Sequence, residues 1–591
     1  MNFLSAEVVS LLKSAGVGGE IEFTKPPNME MGDLAFACFN IAKERKMSPV
    51  EAAKELELKI KETSENTIID DAKAVGPYLN FYFNPQKIAK KVFTEIKKAD
   101  KKFGCCDIGK NKKILVEFAH PNTHKMFHIG HLRNIITGET VSRIFDNAGF
   151  KVKRVNYQGD VGMHIAKCLY GISRIQNSTP DAGSPLLAKK FKTPCRRHVR
   201  LWRKDLKSIE EKMKFLGQAY AAGSKAFDEN EEAKKEIIEL NEKIYSGDKA
   251  IKKLYHETRK WSLKYFDKIY KRVNTKFDRL YFESETFKRG KEIVLEFLKK
   301  GIFKESDGAI IFEGSKYGLH DRVFVNGKGF PTYEAKDLAL AELQFKENGP
   351  DKIFHVVAKE QSEYFKVMFK ALEFTLPKSK DKEKHLVYGW VSLKEGKMSS
   401  RSGQVVLGEW LLDEAEKKIF TIIKDREIKN KEAVVKKIAL AAVKYSMLKT
   451  GVGNDMIFDI NESISLTGDS GPYLLYICAR VKSILKKSGK NKTEKIIAPN
   501  KIELAEKKLL LSLARFPEAA AEAAAEDSCD PSKIAKYLFE LAREFNDFYQ
   551  ECPVLKAEKE TQAFRLSLIK SVGETMAKGL NLLGIETVEE M

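Results

Sequence analysis

A doubly wound parallel α/β domain with a helical insertion, preceded by a small α+β domain and followed by an α-helical bundle, is the fold the sequence predicts. Three observations predict it. Strand-like and helix-like periods alternate between about residues 109 and 408. Helical periods fill roughly 170–303 and almost everything after 409. The 591 residues suffice for two to four domains. We expect an N-terminal domain at 1–108, a central domain at 109–408 with its insertion at roughly 170–303, and a helical domain at 409–591.

In the first domain, helix patterns at Ala6–Ala15 and Pro49–Glu62 flank a Gly32-Asp33 turn. The run from Val75 to Phe83 (VGPYLNFYF) reads as a turn and then a strand. Aromatics on a strand usually pack a core; Tyr78 and Phe81 could also stack on bases. The central domain opens with Lys113–Arg133, KILVEFAHPNTHKMFHIGHLR. Ile114, Leu115, Val116 and Phe118 suit a buried strand, Pro121-Asn122 break it, and after His128-Ile129-Gly130-His131 a helix carries Leu132, Ile135, Ile136, Val141, Ile144 and Phe145 on one side. A helix start offers unpaired N–H groups and a positive dipole end, so an anion site is expected there. Gly130 lets a flat ligand lie against the backbone.

Lys151–Asn156 is the next strand, with Gly159-Asp160-Val161-Gly162 a loop beyond its end. Strand, helix and strand with ligand loops on one edge make the half-unit of a doubly wound sheet. After the insertion, strands are expected at Ala309–Phe312 and Arg322–Val325, then a Gly-rich turn at Asn326–Gly329 and a helix from about Thr332. Lys352–Val357 is a strand, Phe365–Phe374 a helix and His385–Val391 a strand before the loop Glu395–Gly403. Helices at Ala433–Thr450, Pro472–Lys487, Ala505–Ala525, Lys533–Tyr549 and Gln562–Leu583 form the bundle. Tyr473, Tyr476 and Arg480 fall at helical spacing, a core stripe or a base-stacking face.

Composition narrows the function classes. Hydrophobic content of 43% with 32% charged residues is globular, and no apolar run approaches a membrane span. The N-terminus lacks the pattern of a secretory signal, so a cytoplasmic location is expected. Eight cysteines form no CxxC pair, which argues against a zinc ribbon or a disulfide framework. The net charge of +21 suits a polyanionic partner, or lysines spread over solvated faces. The basic stretch Lys189–Lys207 around Trp202 is either a solvated helix face or a clamp on an RNA backbone.

His128-Ile129-Gly130-His131 near the first strand and Lys397-Met398-Ser399-Ser400 after the last can face one crevice at the carboxyl edge of a doubly wound, Rossmann-like sheet. The pairing resembles the class I aminoacyl-tRNA synthetases. Within them the chain is similar to the arginyl-tRNA synthetases, through VEFAHPN, HLRNIITGETVSRIFDNAGFKVKRVNYQGDVG, FPTYEAKDLALA, HVVAKEQSEYF, GKMSSRSGQVVLGEWLLDEA, VKYSMLKTGVGNDMIFD, GPYLLYICARV, LFELAREFNDFY and the ending GLNLLGIETVEEM. PPNMEMGDLAFACFNIAK and GPYLNF extend the likeness to that family's tRNA-contacting N-terminal domain.

The resemblance implies ATP-dependent ligation of L-arginine to its tRNA through arginyl-adenylate. It puts Glu117, Tyr333 and Asp337 on the guanidinium, and Asn122 and Gln361 on the α-amino and α-carboxylate groups. A flat, permanently charged guanidinium is best held by carboxylates, and Tyr333 and Asp337 share a helix face. His128, His131 and Lys397 are the catalytic candidates. Lys125, Gly130, Gly159, Asp160, Met398, Ser399 and Ser400 join them around ATP. Some members of that family lack the KMSS lysine and carry one just before HIGH; here Lys125 and Lys397 are both present, and the resemblance leaves the division of pyrophosphate duty between them open. Tyr78, Phe81, Tyr473, Tyr476 and Arg480 are the tRNA-contact candidates. Mg2+ is expected to arrive with ATP, without a protein metal cage. A monomer without membrane contact is the expected state.

Overall fold

The computed structural model describes residues 3–63, 67–175, 206–394, 406–489, 498–525 and 528–591. The first domain comprises α1 (Phe3–Ser14), β1 (Phe23–Thr24), β2 (Leu34–Ala37), α2 (Phe39–Arg45), α3 (Pro49–Thr63), β3 (Ile69–Val75) and β4 (Tyr78–Phe83). Its antiparallel sheet runs β1-β2-β4-β3. Gly76, at φ +58°, makes the tight β3–β4 turn. Alternation along β4 turns Leu79, Phe81 and Phe83 into the core. α4 (Pro85–Ala99), capped by the Asn84 side chain accepting from Lys87 N, leads to the central domain.

The central domain holds β5 (Lys113–Glu117), α5 (Ile129–Asn147), β6 (Lys151–Gln158), α6 (Met163–Ile175), α7 (Ile209–Glu229), α8 (Glu231–Ser246), α9 (Lys249–Arg272), β7 (Arg279–Phe282), α10 (Glu283–Leu298), β8 (Lys304–Ser306), β9 (Ala309–Phe312) and β10 (Arg322–Val325). α11 (Tyr333–Asn348), β11 (Lys352–Ala358), α12 (Ser362–Thr375), β12 (Glu383–Tyr388) and β13 (Val391–Leu393) complete it. The main sheet is parallel, in the order β12-β11-β5-β6-β7. The chain leaves β5 toward β6 on one side and later returns to β11 on the other. The switch point therefore lies between β5 and β11, where doubly wound sheets place their ligands.

Several expectations need correction. Arg279–Phe282, read as insertion, is the edge strand of the main sheet, so the inserted helices end before it. The strands at Ala309–Phe312 and Arg322–Val325 belong instead to a separate antiparallel sheet, β10-β9-β8. His385–Val391 is two strands broken at Gly389-Trp390. A Cβ at Gly389 would lie 2.2 Å from the Asn454 carbonyl, so the chain passes that backbone closely only without a side chain. β13 then pairs with β14 (Met456–Phe458), a strand in a region read as almost wholly helical. Short apolar runs carry no pairing information of their own, so the sequence alone does not say which strands pair.

The insertion is held by helix contact at backbone distance. A Cβ on Gly171 of α6 would sit 1.8 Å from Ala219 O of α7, and one on Gly223 of α7 1.9 Å from Lys167 O of α6. After the central sheet come α13 (Gly408–Ile423), α14 (Lys431–Leu448), α15 (Ile460–Ser463), α16 (Gly471–Lys487), α17 (Leu504–Ala523), α18 (Pro531–Glu551) and α19 (Lys559–Leu582). The bundle also receives the first domain: Lys507 meets the buried Asp33 at 2.7 Å, and Phe93 packs edge-on against Phe564. Among the described residues no helix is long and apolar enough to cross a membrane.

Candidate active site

A cleft of about 770 Å³ opens at the carboxyl ends of β5 and β11. Glu117 ends β5, Asn122 follows the break, and His128, Gly130 and His131 begin α5. Gly159 follows β6, Tyr333 and Asp337 come from α11, and Gln361 precedes α12; all of these line the cleft. Gly159 has a steric reason to be glycine, since a Cβ there would meet the Asn122 side-chain oxygen at 2.1 Å. Lys125 stands beside this group with its Nζ 4.9 Å from the Tyr220 ring. Lys397, Met398, Ser399 and Ser400 lie outside the described residues, as does the basic stretch from Lys189 through residue 205. The chain after that loop is nonetheless joined to the first motif: Ile129 N donates to Val406 O, and His128 bridges Leu407.

The α5 start is not the open anion site expected from the sequence. His128 caps the helix, and its Nδ1 accepts from the backbone N–H groups of Gly130 and His131. His131 Nδ1 accepts in turn from His128 N at 3.2 Å. With these N–H groups occupied, the helix end has little left for a phosphate. The capping instead defines the histidines. A ring whose Nδ1 accepts a hydrogen bond carries its proton on Nε2, so both are neutral Nε2–H donors. Burial, together with the nearby Lys125, lowers the pKa of each, His131 furthest, and keeps them neutral at pH 7. A Cβ on Gly130 would stand 3.0 Å from the His128 ring, so the glycine permits the ring's fold-back.

Asp160 also departs from expectation. Its fully buried carboxylate accepts from Arg259 Nε at 2.8 Å, Ser284 N at 2.8 Å and Ser284 Oγ at 2.7 Å. It ties the insertion and the start of α10 to β6, and is committed to structure rather than presented to a nucleotide.

The acidic end has unequal carboxylates. Burial alone would raise the pKa of Glu117, but His355 and Gln344 donate to it and hold it below the usual carboxylate range. Asp337 is pushed up to about 7 by burial, opposed by a 2.5 Å hydrogen bond from Tyr364 and reinforced by the nearby negative Glu117 and Glu283. Glu283 itself is paired with the buried Lys336 at 2.9 Å. Asp337 is thus a carboxylate that an incoming cation would relieve. Tyr333, 58% exposed, lies at the rim with Lys336 4.9 Å from its ring.

The catalytic-domain family model for class I tRNA synthetases (R) matches residues 93–186 and 198–460. Models for the arginyl tRNA synthetase N-terminal domain and the DALR anticodon-binding domain match residues 3–83 and 474–591. An arginine–tRNA ligase of Treponema denticola is 33% identical over 97% of this chain and 95% of its own length. The chain belongs to the arginyl-tRNA synthetases. A second ligase of that name, from Clostridium perfringens, is 32% identical over 96% of the chain and 95% of its own length. The solved arginyl-tRNA synthetase of Thermus thermophilus superposes with a TM-score of 0.78 over the whole of both chains at 26% identity.

Two of the expected tRNA contacts fail on burial. Phe81 is 0% exposed, packed in the first domain's core, and Tyr473 is 8% exposed, accepting from Asn546 Nδ2 and donating to Ala542 O. Neither ring can stack on a base. Tyr78 is exposed and meets Phe39 edge-on. The Arg480 guanidinium lies 4.6 Å from the Tyr476 ring and 5.1 Å from that of Tyr549. Arg133 and Asn134 are further polar residues of this region, and charged and polar residues inside an apolar helical period are the sequence signal for them. Buried Arg133 donates to Trp390 O at 2.5 Å and Asn454 O at 2.8 Å. Asn134 accepts from Ala119 N and donates to Val356 O, joining the ends of β5 and β11.

Proposed function

We infer that this chain ligates L-arginine to its tRNA at the expense of ATP, and we propose the following division of roles. The observation that carries it is the meeting of Glu117 and Asp337, from distant segments, in the cleft that His128, Gly130 and His131 also line. Arginine binds with its guanidinium against Asp337, Glu117 and Tyr333, and with its α-amino and α-carboxylate groups at Asn122 and Gln361. Lysine or citrulline would leave buried carboxylates imperfectly paired, so binding alone rejects them.

The arginine carboxylate attacks the α-phosphorus of ATP and pyrophosphate departs. The nucleophile is already ionised, so catalysis is positioning plus stabilisation of charge on phosphate oxygens. The Nε2–H groups of His128 and His131 supply that stabilisation, Gly130 and Gly159 admit the nucleotide, and Lys125 and Lys397, with Met398, Ser399 and Ser400, hold the departing pyrophosphate. The 2′-hydroxyl of the terminal tRNA ribose then attacks the adenylate, releasing AMP. Among the described residues no three His, Cys, Asp or Glu side chains cluster around a cation position; a Mg2+ ion arriving with ATP is held by its phosphates.

Residues 1–108 contact the tRNA through Tyr78, residues 109–408 carry the chemistry, and residues 409–591 receive the anticodon stem, with Tyr476 and Arg480 on the contact face. The enzyme acts as a monomer in the cytoplasm. ATP–pyrophosphate exchange with arginine, run with and without arginine tRNA, tests this. Exchange is expected with arginine and dependent on tRNA; exchange driven by a different amino acid, or none with arginine and tRNA together, rejects it.

A further inference from the structure

Behind the acidic end of the cleft stand three ionisable side chains in a row, two of which the proposed reaction does not use. His355 on β11 is the register partner of Glu117 on β5. Its Nδ1 lies 3.1 Å from Glu117 Oε1, and its Nε2 lies 2.7 Å from Glu383 Oε2 on β12. An ionised carboxylate can only accept, so each ring nitrogen carries a hydrogen and the imidazole is a cation. All three residues are buried, and the rings of Phe365 and Phe369 from α12 cover His355 at 5.2 and 5.9 Å.

Among the described residues, His385 on β12, His120 after β5 and Asp337 on α11 also act on it electrostatically. Burial pushes both of these histidines toward the neutral form, His385 to about 4. The two carboxylates instead push His355 up to about 10. Gln344 of α11 donates to the other oxygen of Glu117. Glu117 is therefore gripped on both oxygens from the protein side.

We propose that His355 is a positioning residue for arginine: anchored by Glu383, its imidazolium fixes the Glu117 carboxylate at the cleft wall and offsets the charge Glu117 would otherwise impose on Asp337. This rests on the reading that Glu117 and Asp337 hold the guanidinium. Without the imidazolium the two carboxylates repel through a buried wall, and one of them takes up a proton. A protonated carboxyl points a donor at a guanidinium that has only donors to offer. Arginine then binds only at higher pH.

The test is the KM for arginine in tRNA-supported ATP–pyrophosphate exchange, followed between roughly pH 6 and 9, for wild type, H355Q, E383Q, E117Q and D337N. H355Q is expected to raise the arginine KM about tenfold near neutrality and to move the midpoint of its pH dependence up by about one unit. Its kcat and its KM for ATP should stay close to wild type. E383Q should move the midpoint the same way by less, because glutamine still accepts from Nε2 but brings no charge. It leaves His355 in place, so it carries the test if H355Q does not fold.

An unchanged midpoint in either folded variant overturns the proposal. So does a lowered melting temperature with kcat and both KM values moving together, which is what a merely structural role produces. If E117Q and D337N raise the arginine KM while H355Q and E383Q do not, the role of His355 alone is refuted. If none of the four raises it, the arginine site has been misassigned and the proposal falls with it.

Discussion

Asp337 shows how a single side chain can set a pH response. Burial and negative neighbours push its carboxyl up to about 7, against about 4 in an unfolded chain. Between those values the folded, ligand-free protein binds the extra proton. Stability tied to this group is full below about pH 4 and is lost as the pH rises through about 7. In the proposed arginine site, binding demands the opposite form, the anion. We therefore expect saturating arginine to raise the melting temperature more at about pH 8 than at about pH 6, and D337N to abolish the difference. Equal shifts at both pH values in the wild type would contradict this. The acidic residues were legible as carboxylates, but their inequality was not. Glu117 lies 227 residues from Gln344 and 238 from His355, and only the folded sheet decides that Glu117 receives partners which Asp337 lacks.

At the scale of elements, α5 does two jobs through one residue. His128 is both the helix cap and, in our reading, a donor to the transition state. Asparagine keeps a capping oxygen but has no Nε2–H. H128N should unfold within about 0.5 kcal/mol of wild type, whereas H128A should lose about 1 kcal/mol. Both should lose about 10²–10³ in kcat. Denaturant titration beside exchange kinetics separates the effects, and equal stability losses in the two variants would discount the cap. The crossing of α6 and α7 is a second case. G171A must push the helices apart at a contact with no room for a methyl group, and should destabilise by about 1–3 kcal/mol or more. Wild-type thermal unfolding of G171A would show that the helices can yield there. The helical period marks α5 and, more coarsely, the insertion; nothing in the sequence distinguishes the two glycines, because close approach belongs to the pair of helices rather than to either partner.

For the whole molecule, the outer domains are joined to each other as well as to the centre. Lys507 of the bundle reaches the buried Asp33 of the first domain. Removing Lys507 would leave the Asp33 carboxylate its hydrogen bond from Phe83 N but no counter-charge, which destabilises the contact. K507M should split calorimetric unfolding into two transitions and weaken tRNA binding more than arginine binding. A single unshifted transition would mean that the ion pair does not hold the domains together. Arg133 links the centre in a similar way, from α5 to the backbone at Trp390 and Asn454.

The sequence by itself determined the local periods and the two signature motifs, while the proposed arginine pocket came only from what the family resemblance implies. The periods and motifs are written in contiguous or regularly spaced residues, where helix and strand periodicity and residue type are sufficient. Only the tertiary structure decided that Arg279–Phe282 closes the sheet edge, that β13 pairs with β14, that Phe81 and Tyr473 face inward, and that the α5 N–H groups are taken by histidine nitrogens. Each of these depends on which partner occupies a given space or hydrogen bond. That competition is settled when distant segments pack together and water is excluded.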